Sequence, residues 1–184
     1  RQSKDEFRLE TRMAKEILED QAQAPVVGYR AATYSITQKS LWALDILVEE
    51  GFAYDSSIFP MRHDRYGIPD ACRLPHRIST PQGRDLVEFP ISVMNRGPFT
   101  LPVAGGGYFR LFPYSITRWG LREINGEGRP FVFYLHPWEI DPGQPRIEQA
   151  SRTSRFRHYL NLDRCEGRLR ELLSDFEFGT MAAV

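Results

Sequence analysis

The sequence lacks the features that would point to a membrane, a nucleic acid or a disulfide framework. Its 24 basic and 24 acidic side chains cancel over 184 residues. A phosphate backbone is normally met by a basic excess or a basic stripe; here the signs are interspersed, so no nucleic-acid partner is expected. No window approaches the roughly eighteen apolar residues that span a bilayer, so no transmembrane segment is expected. The only cysteines, Cys72 and Cys165, make neither a disulfide framework nor a paired zinc site. There is no Gly-x-Ser-x-Gly elbow, no Gly-Lys-Ser/Thr ending after a glycine run and no dinucleotide fingerprint, which sets serine hydrolases and nucleotide binders aside. An initiator Met and a signal peptide are also missing ahead of Arg1, so the sequence reads as a fragment.

What is present reads as alternating helices and strands. Ser3 and Glu6 have capping-box spacing, and Phe7, Met13, Ala14, Ile17 and Leu18 form the expected inner face of a helix ending near Asp20. Residues 25–29 read as a buried strand delivering Arg30. Thr37 is the expected N-cap of a second helix carrying Leu41, Leu44, Leu47 and Val48, with Gly51 just past its end and a strand at 52–54. Strand, helix and strand joined this closely predict βαβ units with a parallel sheet. Residues 59–83 show no sustained period and read as a long insertion. A strand returns at 86–91, and Gly105-Gly106-Gly107 precedes Pro113 and a helix through about Ile124. Residues 131–135 read as the strongest strand, ending on His136, and 162–176 as a packing helix. No repeat or compositional break argues for a second domain.

In parallel α/β folds reactive groups gather at the C-terminal ends of strands. Arg30, Asp55 and His136 occupy such ends. Arg30 is equally readable as a surface residue, and Asp55 as a turn initiator. His136, followed by Pro137 and Trp138, is either an imidazole placed to exchange a proton near neutral pH or one satisfied by backbone partners at the rim. The triple glycine allows close backbone approach to something bulky, a sugar ring or Tyr108. His63, His76 and His158 have no metal-ligand spacing and read as solvated, and the Arg152-to-Arg157 cluster as an exposed face.

Four segments carry a resemblance: Gly28-Tyr29-Arg30-Ala31-Ala32-Thr33-Tyr34-Ser35-Ile36, Tyr54-Asp55-Ser56-Ser57-Ile58-Phe59-Pro60, Gly105-Gly106-Gly107-Tyr108-Phe109-Arg110 and Tyr134-Leu135-His136-Pro137-Trp138-Glu139-Ile140-Asp141. In order and spacing the chain resembles the NodB-homology polysaccharide deacetylases, the family-four carbohydrate esterases, and in particular the exosortase-associated branch of exopolysaccharide (PEP-CTERM) loci. The segment from Phe156 to Phe176 resembles that branch's C-terminal region. The resemblance implies an α/β fold, the C-terminal portion of a distorted (β/α)7, TIM-like barrel over 1–145, with a short helical extension over 146–184.

It also implies metal-dependent N-deacetylation of N-acetylated bacterial polysaccharide, with a divalent ion, usually zinc, held by one Asp and two His. By motif, Arg30 would orient the catalytic base, the Thr33 N–H would meet the oxyanion, and His136 would protonate the leaving amine. Leu135 and Trp138 would line the acetyl pocket. Tyr108 and Asp55 are placed on the substrate side, Asp55 as a support of the rim rather than a catalyst. The family's usual Arg-Ala-Pro is Arg30-Ala31-Ala32 here, which loses proline's fixed φ. The Asp-Asp pair and the His-x-x-x-His pair do not occur; the resemblance places both, and so all metal ligands and the base, upstream of Arg1. These 184 residues are therefore expected to be inactive alone, with open sheet edges and doubtful independent folding. The resemblance further implies a bacterial cytoplasmic setting, with the periplasm left open, and association with polysaccharide-export machinery. Two alternatives stand beside it: an allantoinase-like cyclic-amide hydrolase, and a non-catalytic barrel that binds glycan or assists assembly.

Overall fold

The computed structural model describes residues 2–63, 66–97 and 99–183. Arg1, on which the reading of the chain's start falls, lies outside the described residues, as do Asp64 and Arg65 of the expected insertion. The chain forms two compact units, residues 1–91 and 92–184. The fold is mixed α/β, with one four-stranded mixed sheet, and its strands do not close into a barrel among the described residues.

In the first unit the capping box forms as its spacing predicts: the Glu6 N–H donates to Ser3 Oγ, and the Ser3 N–H to the Glu6 carboxylate at 2.7 Å, opening α1 (Lys4–Ala22). The expected inner face of α1 is not buried. Met13, Ile17 and Leu18 are more than half exposed, and only Phe7 of that set packs on the core. The reason is electrostatic. Strand β1 (Gly28–Tyr29) leads to α2 (Trp42–Glu49), and α1 turns its basic side to the end of α2. Arg12 makes a two-bonded fork on the Glu50 carboxylate at 2.8 Å, and Lys15 donates to the Glu50 carbonyl, where the helix dipole is negative. Thr37 caps the turn before α2, and Gly51, with φ +78°, ends it.

Strand β2 (Tyr54–Asp55) lies parallel to β1, starting two residues later and ending one later than the sequence pattern indicates. Strand β3 (His76–Ser79) arises inside the supposed aperiodic insertion and pairs antiparallel with β4 (Asp85–Glu88). The sheet order is β1-β2-β4-β3, with β1, β2 and β4 parallel. The βαβ expectation therefore holds for β1, α2 and β2, the expected parallel pairing extends to β4, and the hairpin makes the sheet mixed. Leu44, Leu47, Phe52 and Leu86 form the core beneath it.

The second unit begins with a hairpin, β5 (Met94–Arg96) and β6 (Phe99–Leu101). The glycine cluster itself enters a short helix, α3 (Gly106–Leu111), followed by α4 (Tyr114–Gly126). Residues 131–135 are not the strongest strand. They make one parallel bridge, between Tyr134 and Gly105, because their only ladder partner is the few residues ahead of α3. Helices α5 (Arg152–Tyr159) and α6 (Leu162–Asp175) complete the unit, with Phe109, Leu121, Ile124, Cys165 and Leu172 at its core.

The close approach expected of the glycines is real, but its bulky neighbour is Tyr134 rather than Tyr108. Gly105 has φ +120°, and a Cβ there would collide with the Tyr134 carbonyl; one at Gly106 would meet the Tyr134 ring. Strain and overpacking act together, so Gly105→Ala should destabilise this unit by about 3 kcal/mol or more in chemical denaturation. A change below about 0.5 kcal/mol would show that the segment relaxes freely.

Candidate functional site

Two rims carry the candidate residues, one in each unit. In the first, Tyr29, Asp55 and Glu88 stand in register across the three parallel strands, so two carboxyls lie side by side at the strand ends. Both are fully buried. Each must find hydrogen bonds, and the donors come from the loops just beyond. Ser57 Oγ donates to Asp55 at 2.6 Å, and the Ala31 N–H donates to Ser57 Oγ at 2.8 Å. The Ile58 N–H donates to Glu88 at 3.1 Å. Arg30 reaches over the same turn, donating from Nε to the Ser56 carbonyl and from Nη2 to Ser56 Oγ, while Ser56 Oγ donates to the Phe89 carbonyl.

The loop so held runs through Thr33 and Tyr34, at φ +55° and +51°. Two successive non-glycine residues in the left-handed region are strained, and they persist where surroundings enforce them. Here Tyr34 is buried and stacks on Phe59 at 5.8 Å. Thr33 is left exposed on the rim.

Burial raises the pKa of both carboxyls, and for Glu88 the Asp55 charge adds to it, pushing Glu88 up to about 10. Asp55 Oδ2 and Glu88 Oε2 have no donor from elsewhere, so one proton between the groups satisfies both. Asp55 takes the Ser57 hydroxyl and backbone N–H groups that favour its charged form. The Asp55 charge in turn favours the protonated form of Glu88.

In the second unit His136 is exposed at the end of the extended segment and opens the turn Pro137–Ile140. Its ring lies nearly parallel to Trp138, centroids 6.0 Å apart. The His158 ring stacks on Trp138 at 4.2 Å and bonds Gln144 at 2.8 Å, so His158 is not a solvated residue as its spacing implies. Burial lowers its pKa, with the Arg110 charge adding to the effect. Arg110 lies over Trp138 at 4.9 Å and faces Glu139 at 3.7 Å, both side chains buried.

The structure thus joins Arg30 and Asp55 in one network with the Thr33 loop, and His136 with Trp138 in another. Leu135 packs on the core of its unit, and Tyr108 stacks on Phe112 at 6.0 Å. Asp55, with no exposed surface, supports the loop. Glu88 carries no role in the sequence pattern, and Ser56, Ser57, Arg110 and Glu139 enter it only as parts of the segments that carry the resemblance. A charged residue interrupting an apolar run, as in Leu86-Val87-Glu88-Phe89, is the signal the sequence offers for Glu88. Cys165 is buried, which pushes its thiol up to about 11 and leaves it inert. Among the described residues no group of three His, Cys, Asp or Glu side chains is placed to hold a metal ion, and no helix is long and apolar enough to cross a membrane.

The buried proton has a measurable sign. Glu88 titrates above its ordinary 4.5 in the folded state, so its contribution is fully present below that value and is lost as pH rises towards 10. Denaturation between about pH 5 and pH 9 should show the wild type losing stability with rising pH relative to Glu88→Gln, by up to one proton's worth, about 1.4 kcal/mol per pH unit. Parallel profiles would place no proton on Glu88.

Comparison with curated proteins finds no match, and neither does comparison with solved structures. A family model described as a domain of unknown function, DUF3473, matches residues 56–184, more than half of the chain. The matched span takes in Ser56, Ser57, Glu88, the glycine cluster, Arg110 and the His136–Glu139 turn. The chain belongs to the DUF3473 family.

Proposed function

We propose that the chain contributes the oxyanion-binding and proton-donating parts of a polysaccharide N-deacetylase, acting on N-acetylated sugars of a bacterial exopolysaccharide. The observation that carries this reading is the first rim. Arg30 and the strained Thr33 loop are held at the ends of parallel strands by hydrogen bonds from Ala31 through Ser57 to Asp55. An oxyanion donor works by being fixed before charge develops, and a loop tied to a buried carboxylate meets that need without proline at position 32. The resemblance to the NodB-homology deacetylases supplies the roles. The Thr33 N–H stabilises the tetrahedral oxyanion, Arg30 provides positive charge that orients the base, and His136 protonates the departing amine. Leu135, Trp138 and Tyr108 face the acetyl group and sugar in this reading.

In the same reading the three parallel strands and their helices are a portion of a distorted (β/α)7 barrel, and the exposed Leu9, Met13 and Ile17 of α1 are a face such a helix turns towards neighbouring strands. The divalent ion that the resemblance implies finds no donor set among the described residues. A second reading is a non-catalytic glycan-binding member of the same fold, operating beside the export machinery.

Acetate release from N-acetylglucosamine oligomers by the natural protein, supplied with zinc, separates the two. Deacetylation with His136→Ala reduced about a hundredfold or more supports the first reading. Oligosaccharide binding without acetate release supports the second. Near-normal turnover in His136→Ala removes His136 as the acid, and ureide hydrolysis without acetate would point to the allantoinase-like chemistry.

A further inference from the structure

We propose that a hollow in the second unit, beside the stacked rings of Trp138 and His158, is a subsite for a carboxylated sugar, a uronic acid, lying next to the acetylated residue in the polymer. That the ligand is a polysaccharide rests on the function proposed above; the shape and charge of the hollow stand apart from it. The hollow measures about 280 Å3 and is lined by Arg146, Arg155, Phe156, Tyr159 and Leu160. That is room for a single sugar ring between cationic and apolar walls.

The walls are pinned by printed contacts of ordinary length. Tyr159 Oη donates to the Pro145 carbonyl at 3.2 Å and accepts from the Ile147 N–H at 2.8 Å. The residue between those two is thereby held, and the Arg146 guanidinium lies 4.7 Å from the Tyr159 ring centroid. On the other side Ser151 caps α5, its Oγ accepting from the Ser154 N–H at 3.2 Å, and the helix carries Arg155 and then Phe156, which is 60% exposed. The hollow also connects to the candidate proton donor. The His158 ring meets Tyr159 edge-on at 4.6 Å and stacks on Trp138 at 4.2 Å, and Trp138 lies parallel to His136 at 6.0 Å. A row of rings thus leads from the hollow to the exposed imidazole.

Charge selects the ligand. Between residues 144 and 160 stand Arg146, Arg152, Arg155 and Arg157 against one acid, Glu148, in a chain of zero net charge. Elsewhere Arg12, Arg122 and Arg170 meet carboxylates, whereas among the described residues none of these four arginines does. A guanidinium takes a carboxylate through two parallel N–H bonds, a geometry that a neutral sugar cannot complete. The exposed Phe156 ring offers the apolar face of a sugar a surface to cover. A phosphate backbone would call on a longer basic stripe and a basic excess, and the sequence has neither.

The test titrates the natural protein by calorimetry with an oligoglucuronate, with a neutral glucose oligomer of equal length and with a single-stranded oligonucleotide. The oligoglucuronate should bind about tenfold or more tighter than the neutral oligomer. Arg146→Gln with Arg155→Gln, both at exposed positions, should fold as wild type and weaken the oligoglucuronate by about tenfold or more. The same double variant should leave the neutral oligomer, and acetate release from uncharged N-acetylglucosamine oligomers, within about twofold of wild type. Phe156→Ala should weaken both sugar oligomers alike. Absence of oligoglucuronate binding, equal affinity for the two sugars, an unaffected double variant, or an oligonucleotide bound as tightly as the oligoglucuronate would each overturn the proposal. If the wild type releases no acetate, the deacetylase reading fails while oligoglucuronate binding still decides the hollow. Acetate release without oligoglucuronate binding removes the subsite alone.

Discussion

A carboxyl group taken out of water must be protonated, paired or hydrogen-bonded, and this chain places three of them under its loops. Asp55, Glu88 and Glu139 are 0%, 0% and 1% exposed. For Asp55 and Glu88 the donors are hydroxyl and backbone groups of the segments just beyond the strands, and the group that faces Glu139 is the Arg110 guanidinium. The loop conformation follows. Ala31 is drawn in through Ser57 to Asp55, and Ile58 is drawn to Glu88. Removing these carboxyls would remove the reason for those conformations.

The same constraint explains how exposed groups are held still. Arg30, Thr33 and His136 present their side chains to solvent, where long-lived order is entropically costly. The segments that carry them are nevertheless tied to buried residues, Ala31 donating to Ser57 Oγ and the His136 carbonyl accepting from the Glu139 N–H, and the positive φ values at Thr33 and Tyr34 are accompanied by the packing of Tyr34 against Phe59. Exposure of the reactive group and rigidity of its support are thereby separated onto different atoms of the same short segment, the arrangement preorganised chemistry needs.

Local signals made much of the scaffold legible. The Ser3–Glu6 box, the Thr37 cap, the Gly51 stop and the spacing of Leu162 to Leu172 depend on near neighbours, and the elements they mark are present. The failures share a cause of the opposite kind. Strand β3 exists because β4 pairs with it, not because His76–Ser79 carries a period, and residues 131–135 form a single bridge because little lies beside them to pair with. The apolar stripe of α1 stays outside because Arg12 and Lys15 find Glu50. At the rims, Arg30 and His136 were visible as polar residues ending apolar runs. Glu88 and Glu139 were not, because a carboxylate's importance there comes from the charge facing it across the fold: Asp55 for one and Arg110 for the other.

That dependence on partners also accounts for the residue type at position 110. Its side chain must oppose a carboxylate, donate to two carbonyls and lie over an indole. An ammonium is a compact point charge with strong hydration, and it cannot stack. The guanidinium is planar, weakly hydrated and always charged, with several N–H groups diverging in one plane. Only arginine fits all three demands within one buried volume, so the Arg at the end of the Gly-Gly-Gly-Tyr-Phe-Arg segment and the Glu of the His-Pro-Trp-Glu segment are two halves of one device. The glycines serve it as well: by letting the backbone press against Tyr134, they bring the start of α3, and with it Arg110, to the strand end from which His136 projects.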